Sequence, residues 1–148
     1  MNSDILARYL SLWSDPAPDR DLTPLDEITT EQVRFRDPIN DLYGREQLKH
    51  LFRDAANAVA APNVEISGIA WADPNRAFVQ WRYAGKLTRL GGKPWSVDGM
   101  SEILFLDGRI ISHRDFWDLS SGLFEYFPWI GSLFRCLRQR LRLRQGGS

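Results

Sequence analysis

Apolar positions recur every three or four residues in the first part of the chain and then switch to alternation, so helices should precede a run of strands. Leu6, Tyr9, Leu10 and Trp13 fall on one stripe behind Ser3, which is placed to cap a first helix, and Asp15-Pro16-Ala17-Pro18 stops it. Thr23-Pro24 opens a short second helix with Asp26 and Glu27 near its positive end. Val33 to Asp37 alternates as a short strand, and the turn formers from Pro38 to Gly44 make a loop. Leu48, Leu51, Phe52, Ala55, Ala56 and Val59 form the stripe of a third helix, closed by Pro62-Asn63.

Residues 64–72, 77–90, 95–106 and 109–118 read as strands. Asp73-Pro74-Asn75, Gly91-Gly92 and Asp107-Gly108 separate them, and such short connections make antiparallel neighbours. Pro128 opens a last helix, predicted over 128–145, with Ile130, Leu133, Phe134, Leu137 and Leu141 on one side. Helices followed by a meander of long strands is an α+β pattern. A strongly curved sheet with helices over its concave face would enclose a pocket.

Composition narrows the function classes. A chain of 148 residues suits one domain, expected over 1–148, and 43% apolar with 26% charged residues excludes disorder, collagen and a coiled coil. No apolar run approaches a membrane span, and the N-terminus lacks a secretory pattern, so a cytoplasmic location is expected. A single cysteine, Cys136, makes neither an internal disulfide nor a thiolate metal site, and the two histidines, His50 and His113, lack metal-ligand spacing. No cofactor or metal is therefore expected. Gly91-Gly92-Lys93 lies between strands and reads as a hairpin, not a phosphate loop, and no serine sits in a nucleophile elbow.

The net charge of zero conceals an asymmetry. Residues 133–148 carry five arginines and no acid, leaving 14 basic and 19 acidic residues in the remainder. An acidic body does not suit nucleic-acid binding. The basic tail has two readings: an amphipathic helix for a membrane surface or acidic partner, or a stripe covering the fold with arginines complementing the helix dipole. The sequence favours the second, because residues 1–31 hold seven acids against two bases and the tail lacks lysine.

Ala7-Arg8-Tyr9-Leu10, Val33 to Pro38 and Gly44-Arg45-Glu46-Gln47-Leu48, with the closing Gly108-Arg109-Ile110 to Phe116-Trp117-Asp118, resemble the ketosteroid isomerases. Those belong to the nuclear-transport-factor-2-like superfamily, with the SnoaL-like polyketide cyclases and limonene-epoxide hydrolases. The resemblance implies a cone, a bent antiparallel sheet around a pocket closed by the N-terminal helices. It also implies roles: Asp37 matches the isomerase base, Tyr9 the oxyanion-hole tyrosine and Glu102 the late-strand acid. Asp115 matches the late-strand aspartate of the SnoaL-like cyclases.

The residues support this reading in part. Tyr9 lies on the apolar stripe, and its buried hydroxyl needs a partner. Alternation puts Glu102 on the face of Met100, Leu104 and Leu106, although Val97, Ile103 and Phe105 make the other face apolar too. Ile111, His113, Asp115 and Trp117 share a face of the last strand. Trp13, Phe35, Met100 and Trp117 are the candidate substrate contacts. Asp37 before Pro38 equally suits the start of a turn, and His113 with Asp115 equally suits a solvated edge.

The function expected is cofactor-free acid/base catalysis on an apolar carbonyl- or epoxide-bearing small molecule. The alternative is a non-catalytic module that binds a hydrophobic ligand or a partner. A homodimer is also expected, through an outer sheet face carrying Val79, Trp81 and Tyr83 or their alternates.

Overall fold

The computed structural model describes residues 1–15, 17 and 19–142. Pro16 and Pro18 of the first predicted stop lie outside these residues, as does the stretch 143–148 with Arg144. The chain divides into two compact units, Met1–Trp117 and Asp118–Ser148.

The first unit runs α1 (Asn2–Ser14), α2 (Pro24–Ile28), β1 (Thr29–Arg36), β2 (Asp41–Tyr43), α3 (Arg45–Ala58), β3 (Val59–Asp73), β4 (Arg76–Leu87), β5 (Lys93–Leu106) and β6 (Arg109–Trp117). Its six strands form one curved, open sheet in the order β2-β1-β6-β5-β4-β3. The meander β3 to β6 is antiparallel throughout, as its short turns require. Asp107 and Gly108, at φ 48° and 71°, make the tight β5–β6 turn in the left-handed conformation such hairpins need. β1 joins β6 in parallel, with Phe35 beside His113, because the whole β2–β5 excursion separates them in the chain.

α1 buries Leu6, Tyr9 and Leu12 against the concave face of the sheet, and α3 buries Leu48 and Phe52. They meet Val33, Phe35, Val79, Ile103, Phe105 and Ile110 in one core. Ser3 is not the cap of α1, which begins at Asn2. α3 ends at Ala58, short of Pro62, because Val59 already pairs with Leu87 as the start of β3.

Inward and outward faces settle what alternation left open. On β5 the buried set is Trp95, Val97, Ser101, Ile103 and Phe105. Glu102 and Met100 therefore belong to the outer face, contrary to the expectation that put them in the pocket. Val79, Trp81 and Tyr83 share the inward parity of β4, and their alternates Phe78, Gln80 and Arg82 face outward, where Arg82 pairs with Asp98 at 2.7 Å. On β6 the simple alternation fails at one place. Phe105 pairs with Ile110 but Leu104 pairs with Ser112, so Ile111 is a bulged residue and both Ile110 and His113 point inward.

The second unit contains α4 (Leu119–Gly122), a 3-10 turn (Phe124–Tyr126) and α5 (Pro128–Leu141). Asp118 caps α4 through the backbone N–H groups of Ser120 and Ser121. Phe134 of α5 packs on Phe124 with ring centroids 5.3 Å apart, and Arg138 pairs with Glu125 at 2.8 Å. Pro128 opens α5 as expected, at a position where the missing N–H costs no helical bond.

Candidate functional site

Under α1, the floor of the concave face carries a continuous string of polar side chains in an otherwise apolar core. The Tyr9 hydroxyl lies 2.8 Å from His113 Nδ1, and His113 Nε2 lies 2.7 Å from Asp115 Oδ1. Ser101, directly opposite Asp115 on β5, donates its hydroxyl to the same Oδ1 at 2.5 Å and stands 3.1 Å from His113 Nε2. The Trp81 indole N–H in turn donates to Ser101 Oγ at 2.8 Å.

Donor counting assigns the protons. A carboxylate only accepts, so Nε2 of a neutral His113 carries the proton and Nδ1 accepts from the Tyr9 O–H. Burial pushes the Tyr9 phenol well above its ordinary value, and the charge of Asp115 adds to this, so Tyr9 remains a donor. The imidazole is 4% exposed and meets the rings of Tyr9, Trp13 and Phe35 edge to face at 5.5, 5.5 and 4.9 Å. Such packing leaves His113 one orientation.

Gly99 makes room for this arrangement. A Cβ there would stand 2.3 Å from two carbons of the Trp81 ring, so only glycine lets the indole lie across β5 and reach Ser101.

Above the floor lies a cavity of about 80 Å³ lined chiefly by apolar side chains, among them Leu10, Trp13, Val64, Ile66 and Trp81. His113, Asp115 and Ser101 supply its polar floor, and Asp15, Arg20 and Tyr83 also line it. Arg20 is tied down by donating to the Asp15 carbonyl and, at 2.8 Å, to the Phe52 carbonyl. Its Nε–H is buried without a partner among the described residues. Burial lowers the Arg20 guanidinium and raises the Tyr83 phenol.

Of the residues predicted from sequence, Trp13, His113 and Asp115 line this cavity, while Tyr9 and Phe35 lie in the core beside His113. Glu102 and Met100 are on the other side of the sheet. Asp37 is a turn residue: its carboxylate accepts the N–H groups of Ile39 at 2.7 Å and Asn40 at 2.6 Å, and the Asn40 amide. With Trp117 and one side of Asp115, it lines a separate shallow depression. Ser101, Trp81, Arg20 and Tyr83 were not foreseen. The parity of β5 shared with Ile103 and Phe105, and the outward Arg82–Asp98 pair, were the signals that could have found the first two.

Among the described residues, no three histidine, cysteine, aspartate or glutamate side chains are grouped as metal ligands. No described helix is long and apolar enough to cross a membrane.

The SnoaL-like domain pattern matches residues 6–113, a span that begins within α1 and ends at His113 in β6. This chain belongs to the SnoaL-like domain family. Solved structures share the fold. A candidate SnoaL-like polyketide cyclase from Jannaschia sp. CCS1 superposes with a TM-score of 0.68 at 19% identity, covering 81% of this chain and 87% of its own. A Catenulispora acidiphila protein with a ketosteroid isomerase-like fold, solved with trimethylamine, gives 0.67 at 19% identity over 80% and 88%. TsrD from Streptomyces laurentii gives 0.65 at 20% identity over 82% and 90%. No curated protein matches the chain significantly. The fold expected from the sequence, an NTF2-like cone with a further C-terminal helix, is the fold observed.

Proposed function

We propose that this SnoaL-like domain is a cofactor-free acid/base catalyst acting on a small apolar molecule with a carbonyl group. The observation that carries the reading is the string Tyr9–His113–Asp115 ending in a carboxylate at an apolar cavity. Both hydrogen bonds to Asp115 are accepted at Oδ1, and Oδ2 takes none from the described residues. The Asp115 side chain is 14% exposed, enough to meet a ligand and too little to be a solvated edge.

In the proposed step, Asp115 removes a proton from the carbon beside the substrate carbonyl. The C–H electron pair forms the enolate, whose oxygen accepts from the Tyr83 hydroxyl, with the Arg20 charge nearby. Asp115 then returns the proton to the same or a conjugated carbon. Positioning, not redox or group transfer, is the protein's contribution, and a fixed base typically supplies about 10²–10⁴-fold. An epoxide would use the same carboxylate to activate water. The similarity to a candidate polyketide cyclase and an isomerase-like fold fits carbonyl chemistry.

One observation favours binding without catalysis: both ring nitrogens of His113 are already satisfied, as a structural histidine's would be. The two readings separate by NMR in D₂O. A panel of small cyclic enones and ketones is incubated with the protein, and exchange of their α-protons is followed alongside ligand-observed binding. Exchange that disappears in Asp115→Asn supports catalysis. Binding with no exchange above the buffer rate assigns a ligand-binding module.

A further inference from the structure

The apolar face of α5 is exposed. Trp129 is 90% exposed, Leu133 58%, Leu137 46% and Leu141 83%. These residues follow one another at four-residue spacing, so they line a single arc of the helix, flanked by Ile130. The opposite flank is occupied within the unit. Phe134 lies on Phe124, Gly131 packs on the Glu125 carbonyl, and Arg135 and Arg138 both bond to Glu125.

The charges around this arc are unbalanced. Asp118 and Glu125 are the acids of residues 118–148, and both are engaged, one as the α4 cap and the other with Arg138. Arg140 and Arg142 make no ion pair among the described residues. Arg140 lies seven residues after Leu133 and so projects from the apolar arc itself. A protein partner covering that arc would bury the guanidinium at a large desolvation cost. At a lipid surface the same side chain extends its charge to phosphates while its stem stays among acyl chains. An exposed tryptophan at one end of the arc suits the same level, where an amphipathic ring is favoured.

We propose that α5 is an interfacial helix that seats its Trp129–Leu141 arc in the headgroup region of an anionic bilayer, with Arg140 and Arg142 on lipid phosphates. Binding then draws on apolar burial and on charge together. Its basis is independent of the catalytic reading, and apolar substrates concentrate in the same membranes.

The test is co-sedimentation of the full-length protein with vesicles of phosphatidylcholine alone or with a third phosphatidylglycerol, at low and high salt. Binding is expected to the anionic vesicles, weakening with salt. Arg140→Gln/Arg142→Gln should lose about fivefold per arginine, and Leu133→Asp/Leu137→Asp should abolish binding while circular dichroism shows an unchanged melting curve. Equal binding to both vesicle types, no binding to either, or full binding by the aspartate pair overturns the proposal. So does a wild-type dimer, seen by light scattering, that the aspartate pair dissolves in the absence of vesicle binding. Should the aspartate pair unfold the unit, the arginine pair and the salt titration decide.

Discussion

Asp37 and Asp115 stand at neighbouring places on the parallel β1–β6 ladder, where Arg36 pairs with Arg114, yet their carboxylates do opposite work. Asp37 follows the last residue of β1 and precedes a proline that forces the chain to turn, so its oxygens are consumed by the amides of its own turn. Asp115 remains inside β6, and its partners come from a neighbouring strand and from two residues earlier on its own. A carboxylate bonded to local backbone stabilises a turn. One bonded to side chains at a cavity wall can still meet a ligand. The sequence contexts look equally suggestive, and only the source of the hydrogen bonds tells them apart.

The sharpest way to break the contrast is a pair of isosteric changes. Asp115→Asn is expected to lower catalysed α-proton exchange by about 10²–10⁴-fold, whereas Asp37→Asn should leave it at the wild-type rate. Equal losses in both would dissolve the distinction between turn and site.

Tyr9→Phe comes next. It deletes the O–H that satisfies the buried His113 Nδ1, and denaturant unfolding should show a loss of about 1–3 kcal/mol. The phenol also links stability to pH. Its folded pKa lies above the unfolded value, so the unfolded chain releases the proton first as pH rises. The contribution is complete below about pH 10 and declines above it. Wild-type stability should fall more steeply than that of Tyr9→Phe on the alkaline side, and parallel curves would count against a buried neutral phenol.

Gly99→Ala tests the support of the floor. The added methyl overlaps the Trp81 ring, so a loss of about 1–3 kcal/mol is expected. A change in tryptophan fluorescence should accompany it as the indole leaves Ser101. Glu102→Gln should do least: on the outer face it ought to alter stability by no more than about 0.5 kcal/mol and leave exchange unaffected. A large effect there would mean that the sheet faces are assigned the wrong way round.

The fold was legible because its signals are local. Stripes at Leu6, Tyr9 and Leu48, Phe52 mark the helices, and Asp107-Gly108 marks a hairpin. The candidate site was legible only in part. Tyr9, His113 and Asp115 emerged from family resemblance and alternation, but β5 is apolar on both faces and alternation alone could not say which face turns inward. Glu102 was misplaced for that reason, and Ser101, small and unremarkable in sequence, was overlooked. Arg20 lies in a loop, where no periodicity points anywhere. β2, with three residues, is too short to leave a pattern, and the parallel β1–β6 pairing joins segments that nothing local connects.

The bulge at Ile111 also bears on how such a domain could gain or lose chemistry in evolution. Because one extra residue sets the parity of the rest of β6, an in-frame deletion of that single codon would restore simple alternation. Ile110 and His113 would then stand two residues apart and both still face inward, followed by Asp115. An in-frame insertion of one residue between Ser112 and His113, with the bulge kept, would instead turn Arg114 and Phe116 to the cavity and expel His113 and Asp115. A lineage could therefore silence the site in one genetic event, with no substitution at any residue that forms it.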